Sequence, residues 1–190
     1  MSPISSAELF NDPAHKPLLE SWCAAIFGLG YSQAVAPCKV ALNTSGTRAD
    51  IDFYLQVDDQ QFGFQLTEVQ EPGRRRGYES REPGRKPRRP PLEDERRGKA
   101  DGPAWIREGV QKKIKKYGTA GRDLNLLIYA DFATDQMEAD AVTKELAAVR
   151  GAFNSVWVMD SVRIFSAYSP APLGEVTDWR EARPISEYYE

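Results

Sequence analysis

The stretch Leu124-Asn125-Leu126-Leu127-Ile128-Tyr129-Ala130 is apolar at every position but Asn125. It has the length of a strand and none of the alternation that marks a strand wet on one side. Such a strand is covered on both faces and sits centrally in a sheet with layers above and below. Pro17 to Phe27 sets Leu18, Leu19, Trp22, Ala25 and Ile26 at spacings of three and four, an apolar stripe on a helix that Gly28 and Gly30 are expected to stop. Strand patterns follow at 38–42, 51–57 and 62–69, the last two joined by a turn at Asp58-Asp59-Gln60. A second helix is expected from Gly102-Pro103 to Tyr117, burying Ile106, Val110, Ile114 and Tyr117 and turning Arg107, Lys112, Lys115 and Lys116 outward. Beyond the central strand, Asp135 and Glu138 make a capping-box-like start for a helix carrying Val142, Leu146 and Val149. Short strands at 156–159 and 162–165 complete the order, and the proline-bearing tail reads as loosely packed. The pattern predicts an α/β fold, a mixed β-sheet flanked by helices.

Composition narrows the function. A chain of 190 residues, 41% hydrophobic, is read as a single domain over 1–190 with a substantial core. Its two cysteines, Cys23 and Cys38, and one histidine, His15, exclude a disulfide scaffold and a Cys/His zinc cage. The thiols read as free in a reducing cytosol, and nothing resembles a secretory leader or a membrane span, so a cytoplasmic protein without a membrane partner is expected. The formal charge of −3 hides a separation along the chain, because residues 71–118 carry sixteen Lys/Arg against eight Asp/Glu.

Two acidic segments face each other across the hairpin. Arg48-Ala49-Asp50-Ile51-Asp52-Phe53-Tyr54-Leu55 precedes Phe64-Gln65-Leu66-Thr67-Glu68-Val69-Gln70. Adjacent antiparallel strands bring such acids together, and period-two geometry puts the first and third residues of a triplet on one face. With the order helix, three-strand meander, helix, strand, these residues resemble the core of the PD-(D/E)XK, or restriction-endonuclease-like, superfamily over about 18–132. The resemblance implies an αβββαβ core, here with an added C-terminal helix and two short strands, and a Mg²⁺-dependent nuclease that hydrolyses phosphodiester bonds in DNA or RNA. It assigns Asp52 as the first acid, Asp50 as a same-face alternative, Glu68 as the second acid and Glu20 as a further ligand. Together these would hold Mg²⁺ or Mn²⁺, hard ions that favour oxygen and keep several waters. Gln70 stands where the family has lysine and cannot carry that charge; Lys113, on the following helix, is the substitute cation. A second register puts Gln65-Leu66-Thr67 in the triplet's place. The site then lacks its central carboxylate, and the fold binds rather than cuts.

From Glu71 to Gly102 prolines and glycines are scattered among nine arginines and two lysines, the composition of a disordered insert. Arg74, Arg75, Arg76, Arg85, Lys86, Arg88 and Arg89, with Lys112 and Lys116, are the candidate nucleic-acid contacts, supplying phosphate affinity rather than base choice. The acids within the insert leave a solubilising loop as the alternative. Three functions follow: a nuclease; a catalytically inactive relative binding nucleic acid or a protein partner; and a homodimeric or larger interaction module whose acidic and basic regions pair.

Overall fold

The computed structural model describes residues 16–44, 48–73 and 92–183. Burial follows the hydrophobic pattern most closely at mid-sheet, where β4 (Asn125–Asp131) is buried at every residue up to Ala130. The other elements are α1 (Lys16–Ala34), β1 (Cys38–Leu42), β2 (Phe53–Val57), β3 (Gln60–Gln70), α2 (Leu92–Tyr117), α3 (Ala139–Leu146), β5 (Ser155–Met159), β6 (Arg163–Tyr168) and β7 (Arg180–Glu181). They form an α/β structure with a mixed seven-stranded sheet in the order β1 to β7. The pairs β3–β4 and β4–β5 are parallel and the rest antiparallel. Each parallel pair needs a long crossover connection, usually a helix. These crossovers, α2 and α3, pack against each other, while α1 touches β1, β6 and β7, so the sheet curls round it.

Aromatic packing fixes α1 on its face. Phe27 is fully buried, with ring centroids 5.1 Å from Phe64, 5.4 Å from Trp157 and 6.0 Å from Phe53. Phe53 and Phe64, cross-strand partners, stack at 5.1 Å with their planes 12° apart. Such pairs add about 0.5–1.5 kcal/mol beyond area burial.

Several boundaries differ from expectation. Gly28 and Gly30 do not stop α1, which runs to Ala34. They are buried on its packed face: a Cβ at Gly28 would run into Val40 Cγ2, and one at Gly30 would lie 3.1 Å from Ile164 Cδ1. Close approach, not termination, accounts for them. Helix α2 opens at Leu92 rather than Gly102 and carries Pro103 inside it, so residues 92–102 are helical rather than part of a structureless insert. Packing overrides composition here, because a Cβ at Gly98 would meet the Ala133 carbonyl oxygen and one at Gly102 would meet Phe132 and Met137. Arg97 also pairs with Glu71 just after β3. The rest of the basic segment, 74–91, lies outside the described residues.

The capping box of Asp135 and Glu138 does not form, since Glu138 is itself the N-cap of α3, in extended conformation and without a side-chain cap bond. Nor is the described part of the tail loose. Leu173, Val176 and Ala182 are buried, and β7 pairs with β6. The Tyr31 hydroxyl donates to Leu173 O at 2.8 Å, and the Trp179 indole donates to Met137 O at 2.8 Å. Trp179 also takes the Phe165 ring edge-on at 4.6 Å and lies under the Arg163 guanidinium. Prolines hide this anchoring in the sequence because they interrupt the strand pattern while leaving the apolar anchors in place.

At Gly98 the obstructing atom is backbone and cannot rotate away. Gly98→Ala is therefore expected to destabilise the protein by roughly 1–3 kcal/mol, as overpacking does, read as a lower urea midpoint with an unchanged slope. An unaltered midpoint would mean that α2 does not approach Ala133.

Candidate functional site

The ladder between β2 and β3 ends at Phe53–Phe64, and β3 continues to Gln70 alongside β4 alone. Asp52 sits at this fork. Its backbone N–H donates to Phe64 O at 2.8 Å, and its carboxylate accepts the Leu66 backbone N–H at 2.7 Å. The Gln65 side-chain amide also donates to that carboxylate and reaches Leu66 O at 3.1 Å, while the Tyr117 hydroxyl donates to Gln65 Oε1. At Leu66 the backbone groups that would otherwise need a partner strand are thus satisfied by side chains. Gln65 is 6% exposed and is held by this network.

Strand alternation divides the residues named from the sequence. Phe64 faces α1, against Phe27, whereas Gln65 faces α2, against Tyr117. Asp52 shares the Gln65 side. Glu68 falls in step with Phe64 and so projects to the α1 side, away from the Asp52 carboxylate. Gln70, on the same face as Glu68, donates to it at 2.6 Å and approaches Asp131 at 3.4 Å. Asp52 and Glu68 are not brought together, and the register at the fork puts Gln65-Leu66-Thr67 opposite the first acid. Asp50 lies in the turn before β2, where Arg48 grips both its oxygens at 2.9 and 2.7 Å and holds its carboxyl below the usual range. Among the described residues no group of three or more His, Cys, Asp and Glu is placed to hold a metal ion. The Asp52 oxygens, Gln65 Oε1 and the nearby Glu20 carboxylate are the hard donors at the fork.

Both flanking helices act on Asp52. Glu20, on α1, pairs with Lys16 at 3.1 Å and raises the Asp52 pKa. Lys113, on α2 one turn before Tyr117, lowers it. Burial is the largest influence and leaves the Asp52 carboxyl above its ordinary value despite the Leu66 N–H. Burial also pushes Lys113 down, helped by Lys116 and resisted by Asp52. Lys112 and Lys116 are exposed, and the Lys116 ammonium lies 4.8 Å from the Tyr117 ring centroid. Arg74, Arg75, Arg76, Arg85, Lys86, Arg88 and Arg89 lie outside the described residues. Tyr117 was legible only as core; its spacing of four from Lys113 is the signal that places it at the fork. Beside the fork, between α2 and the end of β3, lies a pocket of about 500 Å³.

Comparison with protein-family models, curated proteins and solved structures finds no match.

Two substitutions should move the Asp52 pKa in opposite directions. Lys113→Met removes a stabilising cation and should raise it; Glu20→Gln removes a repelling anion and should lower it, both read from the carboxyl carbon shift by NMR. The folded pKa is raised, so protonation favours the folded state. Asp52's own contribution to stability is therefore greatest at low pH and declines as pH rises from the ordinary Asp range through the raised value. Shifts in the same direction would show that the two helices do not converge on this carboxylate.

Proposed function

We propose that this protein binds nucleic acid on a restriction-endonuclease-like scaffold and does not cut it. The element order αβββαβ supports the scaffold. The observation that carries the reading is Gln65, which stands opposite Asp52 where the hydrolytic site of such a fold needs a second carboxylate. An amide there cannot help neutralise a divalent cation, and it already occupies Asp52 by hydrogen bonding. Besides Glu20, the fork holds Lys113, and Lys112, Lys115 and Lys116 adjoin it along the last turns of α2. Some of that charge complements the helix dipole, and the exposed remainder suits phosphate. The arginine-rich stretch from Arg74 to Arg89 follows β3 in the chain and adds to the basic charge of this part of the sequence.

A second reading, Mg²⁺-dependent hydrolysis of phosphodiesters, is favoured by one observation: Glu20 and Lys113 both act on Asp52 across the fork. In that reading Asp52, Glu20 and Gln65 Oε1 would hold the ion, and Lys113 would orient the attacked phosphate. Mg²⁺, when bound, supplies charge neutralisation and a more acidic water.

An electrophoretic mobility shift separates the two. A metal-independent complex is expected, weakening steeply with salt, with no cleavage in Mg²⁺ or Mn²⁺. The double substitution Lys112→Ala/Lys116→Ala should flatten the slope of log affinity against log salt by about 2. Cleavage abolished by Asp52→Ala and Lys113→Met would replace the binding reading with the nuclease. Absence of any complex would remove both.

A further inference from the structure

The pocket beside the fork is lined by β3 from Thr67 to Gln70, by the following Glu71 and Pro72, and by α2 from Trp105 to Lys113. Its volume of about 500 Å³ falls within the roughly 300–1,000 Å³ typical of pockets that enclose a small organic ligand. Its chemistry is divided along its length. Val69, Pro72 and Trp105 supply apolar surface, and Trp105 is pinned edge-on against Phe132 at 5.1 Å, so that surface is fixed. Gly109 lets β3 and α2 come close, since a Cβ there would lie 2.6 Å from Val69 Cγ2. Glu108 gives a hydrogen-bonding group, and Lys112 and Lys113 give cations one turn further along α2. Glu108 and Lys112, four apart on α2, share a helix face.

A pocket meant for phosphate alone would not set the Glu108 carboxylate beside its lysines. One meant for an apolar ligand would not carry the lysines. A nucleotide has both requirements: a flat, largely apolar ring with donors on its edge, joined to an anion. We infer that the pocket receives one unpaired base of a nucleic-acid strand, with an exocyclic amino group donating to Glu108 and the adjoining phosphate held by Lys112 and Lys113. Carboxylates accept from the cytosine amino group in just this manner, and thymine, which carries a carbonyl there, is disfavoured. A base within a duplex is stacked and must be extruded before it can enter. The preferred ligand is therefore single-stranded and bears amino groups. This inference rests on the nucleic-acid reading and adds strand form and base class to it.

Fluorescence anisotropy at fixed salt, with labelled oligo-deoxycytidine, oligo-deoxythymidine and a mixed-sequence duplex, tests it. Oligo-deoxycytidine should bind about tenfold more tightly than either competitor, the size of one good base contact. Glu108 is exposed, so Glu108→Ala should fold normally, and it should abolish the preference between the two single strands while leaving the salt dependence unchanged. Equal binding of all three nucleic acids, or a preference that survives in Glu108→Ala, overturns the inference and leaves nucleic-acid binding standing. Failure to bind any of them overturns the nucleic-acid reading and this inference with it.

Discussion

Where β2 turns away, β3 loses the strand that would have satisfied its outer edge, and the Asp52 carboxylate takes over that duty through the Leu66 N–H. An exposed edge invites pairing with any passing strand, so the fork needs such a plug. The arrangement costs Asp52 solvation, which is why its carboxyl is held above the ordinary range. It also recruits Gln65 and, through Gln65, Tyr117 of α2. One side chain thereby ties the β2–β3 hairpin to the crossover helix that leads into β4.

The helices reach the fork because the sheet curls. Phe27, wedged among Phe53, Phe64 and Trp157, seats α1 on one face and brings Glu20 toward Asp52. On the other face Gly109 lets α2 lie close to Val69, which brings Lys113 in from the opposite side. A carboxylate and an ammonium, each partly stripped of water, then stabilise each other's charge at the edge of the sheet. Lys112 and Lys116 remain exposed nearby, so the same helix that completes the fork also presents the cations suited to phosphate.

Much of the fold was legible because period and length are local properties. The apolar run at Leu124–Ala130, the stripe on α1 and the alternation in β2 each state a burial pattern directly. Helix boundaries were less legible. From sequence Gly28 reads as a helix stop and Gly102 as a helix start, yet each, like Gly98, marks a place where a helix approaches another element too closely for a Cβ. That is a tertiary property with no local signature. The site was half legible for a related reason. Asp52 and Lys113 could be named from residue type and order, but choosing between Gln65 and Glu68 as the partner of Asp52 depends on a three-residue shift of register, and an odd shift moves every side chain to the other face. Spacing does not show where the β2–β3 ladder ends, which is at Phe53–Phe64.

The central claim is that the Asp52 side chain acts as the hydrogen-bonding partner of the open end of β3. Native-state hydrogen exchange at the Leu66 amide tests it most directly. In the wild-type protein that amide should exchange slowly although no strand covers it. In Asp52→Ala it alone should become fast, with the paired amides of β2 and the first half of β3 still protected. Rapid exchange at Leu66 in the wild type, or protection that persists in Asp52→Ala, would contradict the account.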